Sequence, residues 1–271
     1  MLELTNFHTH TAYCDGAASV AEMAEAALTQ GFAALGFSGH SDTPFDRSYC
    51  MDPAACECYR ADVQRAKERY AGRLEIYCGL ELDLFSPMDA ECFDYIIGSV
   101  HYLRLGQAYY SVDSSLEQTK ALVENHFQGD YYAFAEAYFA QAGQVAAATN
   151  CDIIGHFDLC SKYNEGNRLF DQENSRYREA ALAALRQAAQ AGKPFEINTG
   201  AMYRGLRQGP YPAPFLLREL QRLGGSVIFS SDSHGPASLS YGFRQALDLA
   251  RDCGFTAIRR FNGQGFSSLP L

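Results

Sequence analysis

Short apolar runs alternate with longer amphipathic segments along nearly the whole chain, and no other feature restricts the fold so much. Strand candidates fall at residues 4–7 (within a strand-like stretch 2–7), 33–37, 74–78, 95–100, 152–154, 194–198, 226–230 and 255–261. Helical patterns occupy 20–30, 53–70, 115–127, 131–148, 172–191, 214–223 and 236–252. Ser19 with Glu22 forms a capping-box pattern, and Gly31, Gly192, Gly224 and Gly254 stand just past helix ends. Strands separated by helices make βα units, because parallel neighbours need a long crossover. Seven or eight such units in 271 residues favour a closed or distorted barrel over an open sheet. The expectation is an α/β fold, a distorted (β/α)7-type TIM-like barrel, as a single domain over residues 1–271. An open doubly wound sheet is the alternative, but no Gly-x-Gly-x-x-Gly turn follows the first strand.

A barrel of this kind carries its chemistry at the C-terminal ends of its strands. The first strand runs into His8-Thr9-His10 and the turn Asp15-Gly16, and the second into Ser38-Gly39-His40. The third is followed by Gly79-Leu80-Glu81, the fourth by Ser99-Val100-His101 and the fifth by Gly155-His156-Phe157-Asp158. The seventh ends in Ser230-Ser231-Asp232-Ser233-His234. The chain has seven histidines and six of them stand at strand ends; His126 alone falls on a helix and reads as a packing residue. One histidine so placed would mean little. Six, joined by Asp15, Glu81 and Asp232, form a metal-ligand set. Imidazole and carboxylate without thiolate suit zinc, manganese or iron. In an extended His-x-His the alternate side chains share a face, so His8 and His10 can grip one ion. Glu81, midway in the series, is the natural bridging carboxylate. These ligands outnumber the needs of one ion, so two or three divalent metals are expected, and three are favoured.

Composition bounds what else the chain can do. At 47% hydrophobic it holds one large core, and no apolar run approaches the ~20 residues that span a bilayer. No basic leader with a cleavage site precedes the first strand, so a cytoplasmic protein without membrane association is expected. The nine cysteines are odd in number and several sit in apolar runs, as reduced thiols do. Cys56-Glu57-Cys58 lacks the second pair that a structural zinc site needs. The net charge of −10 argues against a nucleic-acid partner. A small anionic substrate remains compatible, because bound metal ions reverse the local field.

The series His8-x-His10, Asp15-Gly16, His40, Glu81, His101, His156 and Asp232-x-His234 resembles the ligand series of the polymerase-and-histidinol-phosphatase (PHP) superfamily. Gly36-Phe37-Ser38-Gly39-His40-Ser41, Gly155-His156-Phe157-Asp158-Leu159 and Glu196-Ile197-Asn198-Thr199-Gly200 with Arg204 are similar, more narrowly, to its stand-alone histidinol-phosphatases. The resemblance implies hydrolysis of L-histidinol phosphate to L-histidinol and phosphate in histidine biosynthesis. It further implies one ion held by His8, His10, Glu81 and Asp232, a second by Glu81, His101 and His156, and a third by Asp15, His40 and His234. Some family members carry a histidine just after the Asp15 position, where this chain has Gly16. Glu81, Asp232 and His234 are the expected catalytic residues.

A two-metal site makes hydroxide available near neutral pH, and in-line attack on phosphorus develops charge that cations stabilise. Arg204, Arg207 and Lys162, in the loops after the sixth and fifth strands, are the expected substrate-binding cations, and the arginine fork matches phosphate oxygens. Tyr13, Tyr49, Tyr109, Tyr110, Tyr203 and Tyr211 sit in strand-end loops and could line a pocket for an imidazole and an ammonium group. Glu165 or Asp113 could pair with the amine. The alternatives are a phosphoesterase acting on another small phosphomonoester or on nucleic-acid ends, an amidohydrolase-type barrel, and a non-catalytic binding module. An amidohydrolase would show a carboxylated lysine and a lone aspartate where this chain has Glu81 and Asp232-x-His234. The expected assembly is a monomer or small homo-oligomer.

Overall fold

A computed structural model describes residues 3–271, so Leu2 of the strand-like 2–7 stretch lies outside the described residues. Seven strands form one parallel sheet: β1 (Thr5–Asn6), β2 (Ala34–Phe37), β3 (Glu75–Asp83), β4 (Tyr95–Ser99), β7 (Ile153–Ile154), β8 (Phe195–Asn198) and β9 (Val227–Ser230). They lie in that order, so each strand neighbours the next one in sequence. The sheet curls until its first and last members meet. Beyond the ends of β1 and β9, Thr9 bridges Ser233, with the His10 N–H donating to Ser233 O at 2.8 Å and the Ser233 N–H to His8 O at 3.1 Å. The result is a nearly closed seven-stranded barrel, as the alternating pattern predicts.

The helices of the crossovers are α1 (Val20–Thr29), α2 (Pro53–Tyr70), α3 (Leu116–Phe127), α4 (Tyr131–Ala142), α5 (Val145–Thr149), α6 (Ser175–Ala189), α7 (Gly200–Tyr203) and α8 (Pro214–Arg222), and α9 (Phe243–Asp252) follows the last barrel strand. Local signals set their ends. The Ser19–Glu22 capping box starts α1, Asp52 caps α2 with Pro53 in its first turn, and the four glycines read as helix stops sit at φ of 79°, 67°, 74° and 93°. Side chains alternate across the strands. Leu35, Phe37, Ile76, Leu80 and Leu82 face the helices, whereas Phe7, Ala34, Tyr95, Ile97, Ile153 and Ile228 fill the barrel interior.

Five features differ from the sequence reading. β3 runs on to Asp83 because it keeps a parallel partner in β4, Glu81 opposite Ile97 and Asp83 opposite Ser99, so Glu81 lies inside a strand rather than after it. The helix expected over 131–148 breaks at Gly143, where a Cβ would come within 3.1 Å of the Ala184 backbone on α6. The pattern at 236–252 divides into a short 3-10 turn, Pro236–Ser238, and α9. The apolar run at 255–261 is no barrel strand: β10 (Ala257–Phe261) pairs antiparallel with β11 (Phe266–Pro270). This hairpin places Phe261 among the interior side chains, 6.1 Å from the Phe7 ring. A second hairpin, β5 (Tyr102–Leu105) with β6 (Ala108–Ser111), was not expected and stands directly after His101.

Candidate metal centre

The strand ends bring the expected ligands into one buried cluster. Glu81, 1% exposed, stands at its middle and divides its two oxygens between the flanks. Oε1 lies 3.0 Å from His156 Nε2 and 3.2 Å from His101 Nε2, whereas Oε2 lies 3.2 Å from His8 Nε2, 3.6 Å from His10 Nε2 and 2.9 Å from His40 Nδ1. Asp232 Oδ1 is 3.1 Å from His10 Nε2 and 3.6 Å from His8 Nε2. Asp15 forms the outer corner, 3.1 Å from His234 Nε2 and 3.6 Å from His40 Nε2. Asp232 adopts φ 46°, a left-handed conformation that turns its carboxylate back into the cluster.

The donor chemistry fits divalent ions. Ligand atoms of His8, Glu81 and His156, of His8, His10 and Asp232, of His40, Glu81 and His101, and of His10, Asp15, His40 and His234 form groups within 4.8 Å. His8 Nε2, His10 Nε2 and Glu81 Oε2 are fully buried and make no hydrogen bond. Buried polar atoms left unpaired are costly, and three converging on one point call for a cation. Gly16 has its own reason. A Cβ there would fall 2.5 Å from Thr11 N, so this turn has no room for the histidine that some PHP proteins carry at that position.

A second layer of carboxylates fixes the ring orientations. Glu196 Oε1 lies 2.7 Å from His8 Nδ1, which leaves Nε2 free for the cluster, and its Oε2 accepts from the His156 N–H and the Asn198 amide, both at 3.1 Å. Asp83 Oδ2 does the same for His101, 3.2 Å from Nδ1 and 3.0 Å from the backbone N–H. Ser99 Oγ donates to Glu81 Oε1 at 2.6 Å. Sequence reasoning did not assign these roles. Asp83 was accessible in principle, because residue i+2 of a strand shares the face of Glu81.

This wealth of carboxylate governs protonation. Burial alone would push His8 down, but Glu196, Glu81 and Asp232 outweigh it and hold the ring well above the ordinary histidine range. Burial and Glu81 act likewise at His40, which is raised, and at His101, raised to about 10. His10 goes the other way, to about 3, because burial is reinforced by His234 and His40. Burial pushes Glu81 up, yet the surrounding imidazoles hold it well below the usual carboxylate range.

Above the cluster opens a cavity of about 350 Å³, lined by Asp15, His40, His101, His156, Asp232 and His234 on its floor and by Arg204, Lys162, Asp113, Asp46, Tyr49 and Tyr102 on its walls. Arg204 donates through Nη2 to Asp232 Oδ2 at 2.9 Å and turns Nη1 to within 3.4 Å of His234 Nδ1. A Cβ on Gly200 would lie 2.8 Å from Asp232 Cβ and 3.0 Å from Arg204 Nη2, so this close approach needs glycine. Lys162 pairs with Asp113 at 2.9 Å. Arg207 is not brought to the cavity. Its guanidinium lies 4.4 Å from the centre of the Tyr211 ring and donates to Ser161.

Of the six tyrosines considered, Tyr49 lines the cavity, its ring 4.7 Å from His40. Tyr13 bonds Asp62, Tyr109 stacks on Phe45, Tyr110 packs on His126, Tyr203 sits beside Tyr241, and Tyr211 is buried under Arg207. Glu165 accepts from the Gln208 N–H and does not line the cavity. His126 is exposed on α3, away from the cluster.

Comparison with known proteins places this geometry. The PHP domain model matches residues 6–200. A Deinococcus radiodurans protein named "Probable histidinol-phosphatase" is 30% identical over 266 residues, covering 94% of this chain and 95% of that protein. The histidinol-phosphatase of Bacillus subtilis is 23% identical, covering 89% of this chain and 97% of that protein. The crystal structure of histidinol phosphate phosphatase from Lactococcus lactis, in complex with zinc, L-histidinol and phosphate, has the same fold, with a TM-score of 0.75 at 20% identity over 98% of this chain and 100% of that one. With the family model over most of its length and a relative at 30% identity end to end, the chain belongs to the PHP domain family and to its histidinol-phosphatase group.

Proposed function

We propose that this chain is a histidinol-phosphatase that hydrolyses L-histidinol phosphate to L-histidinol and phosphate, using two or three divalent ions (zinc, manganese or iron) held by His8, His10, Asp15, His40, Glu81, His101, His156, Asp232 and His234. The observation that carries it is the cavity floor. Its ligands His40, His101, His156, Asp232 and His234 roof the buried, unpaired nitrogens of His8 and His10 and the carboxylate of Glu81, and Arg204 stands on the wall above. The curated relatives named as histidinol-phosphatases, and the neighbouring fold described with zinc, L-histidinol and phosphate, support the choice of substrate and ions.

Bound ions would supply the Lewis-acid charge and an activated water at neutral pH. The remaining work belongs to the side chains. Arg204 is oriented by Asp232 through one nitrogen and keeps further N–H groups for phosphoryl oxygens. Lys162, fixed by Asp113 Oδ2 at 2.9 Å and Asp113 O at 2.8 Å, can aim its third N–H into the same space. Arg207 acts as a brace, tying Ser161 to the Tyr211 loop behind the cavity. Catalytic roles fall to Glu81 as the bridge, and to Asp232 and His234 at the face toward the substrate. Residues 3–271 act as one unit, since the C-terminal hairpin fills the barrel with Phe261. No described helix is long and apolar enough to cross a membrane, and the nine cysteines are all unpaired, in keeping with a reducing, cytoplasmic setting. The acidic balance disfavours nucleic-acid ends as substrate.

Phosphate release by metal-reconstituted enzyme from a panel of monoesters tests the proposal. L-Histidinol phosphate should exceed phenyl phosphate in kcat/KM by at least about tenfold, the effect of one charge-assisted hydrogen bond. Equal rates on the two would defeat the substrate assignment and leave the family membership intact.

A further inference from the structure

Two carboxylates that belong to no ligand group, Asp46 and Asp113, line the same cavity as Arg204 and Lys162. Each repels a phosphoryl dianion, and Asp113 serves one only by fixing Lys162. Their presence points to a substrate with positive charge or strong N–H donors at some distance from its phosphate.

The two differ in how they are balanced. Asp113 is neutralised by Lys162. Asp46 has only neutral partners: Tyr102 OH at 2.7 Å, Ser48 Oγ at 2.7 Å and the Ser48 N–H at 3.1 Å. Among the described residues no basic side chain pairs with it, and its neighbour Arg47 turns away to grip Asp42 at 2.8 and 2.9 Å. The bonds from Ser48 and Tyr102 overcome the upward push of partial burial and keep the carboxyl below its ordinary range, so it is charged at neutral pH. Asp46 also stands beside an aromatic row that leads out from the cluster. Tyr49 lies 4.7 Å from His40 and 6.3 Å from His101, Tyr102 a further 6.3 Å on, and Phe45, 37% exposed, 4.9 Å beyond that. A flat ring carrying an N–H donor is the chemistry such a wall and carboxylate would take.

Building on the proposed phosphatase reading, we propose that Asp46 is a specificity-determining residue that accepts an imidazole N–H of the substrate while the phosphoryl group lies at the strand-end cluster. The step is recognition only, with no proton or bond transferred.

The test compares L-histidinol phosphate with L-phenylalaninol phosphate, which keeps the ammonium and a flat ring but lacks the ring N–H. The metal-loaded wild-type enzyme should prefer the former by about 10- to 100-fold in kcat/KM, mainly through KM. Asp46→Asn should bring that ratio close to one and raise the inhibition constant of L-histidinol more than that of inorganic phosphate. Equal use of the two esters by the wild-type enzyme overturns the proposal without any variant. So does an Asp46→Asn enzyme that keeps the wild-type ratio, whether both rates fall together, as for a mere loop brace, or neither falls. Failure of the underlying reading looks different, because wild-type enzyme would then treat L-histidinol phosphate no better than phenyl phosphate.

Discussion

Glu196→Gln changes one atom in a buried carboxylate that never faces the cavity, and the structure says it should damage the metal centre. Glu196 accepts on both oxygens, Oε1 from His8 Nδ1–H and Oε2 from the His156 N–H and the Asn198 amide. Glutamine can match only half of this. With its carbonyl toward His8, its NH2 meets two donors. Asn198 cannot turn to help, because its own Oδ1 accepts from the Gly200 N–H at 2.9 Å. With its NH2 toward His8, the imidazole must carry its proton on Nε2, the nitrogen aimed at Glu81 and Asp232. Either way one set of buried groups goes unpaired, at a cost of about 3 kcal/mol, or roughly 6–10 °C in the melting temperature of a chain this size. Metal affinity should fall about 10- to 100-fold. Chelator competition on the reconstituted protein, alongside melting curves with and without metal, measures both. An E196Q protein that binds ions as tightly as wild type would refute the claim that Glu196 sets the His8 tautomer.

Glu81→Gln should lose the paired ions and the activity together, with turnover down more than about 100-fold, as metal content and phosphate release would record; retained turnover would remove Glu81 from the bridging role. The metal-free protein should also lose stability as it becomes alkaline. His8 and His40, raised by their carboxylates against burial, and His101, raised to about 10, stabilise the fold fully below about pH 6.5; these contributions are lost as pH rises, that of His101 through about 10. Melting temperatures of the stripped protein should therefore fall from pH 7 to pH 10, whereas the metal-loaded protein, whose ring nitrogens are engaged as neutral ligands, should not follow that trend. Parallel curves for both forms would contradict it.

Legibility in the sequence followed the range of the interactions involved. Barrel strands and their helices announce themselves within a dozen residues, through alternation, caps and glycine stops, and the ligand histidines come into view once strand ends are known. The β5–β6 hairpin did not, because Tyr109, Tyr110 and Ser111 are only partly buried and show no clean alternation. The run at 255–261 has the composition of a barrel strand, but its β11 partner claims it in an antiparallel pair. Gly143 reads as an ordinary helix residue until Ala184 packs against it. The roles of Glu196 and Arg207 depend on partners 188 and 46 residues away, His8 and Ser161, and no local pattern encodes them.

The barrel interior explains why the ligands can be held so close together. Tyr95 points inward from β4 beneath the cluster, and its hydroxyl donates to Phe7 O at 2.6 Å and Phe37 O at 3.1 Å. Those carbonyls belong to the peptides that lead into His8 and Ser38, so one phenol ties together the exits of β1 and β2, which supply His8, His10 and His40. The ring fits only because Gly36 and Gly79 flank it, where a Cβ on either residue would collide with Tyr95. Phe7, edge-on, and Phe261, tilted, close the layer, with ring centres 5.9 and 5.3 Å from that of Tyr95. The Gly36 motif and the Gly79-Leu80-Glu81 segment therefore serve the metal centre from below. Their glycines make room for a strut, and the strut sets the spacing of the imidazoles that surround Glu81.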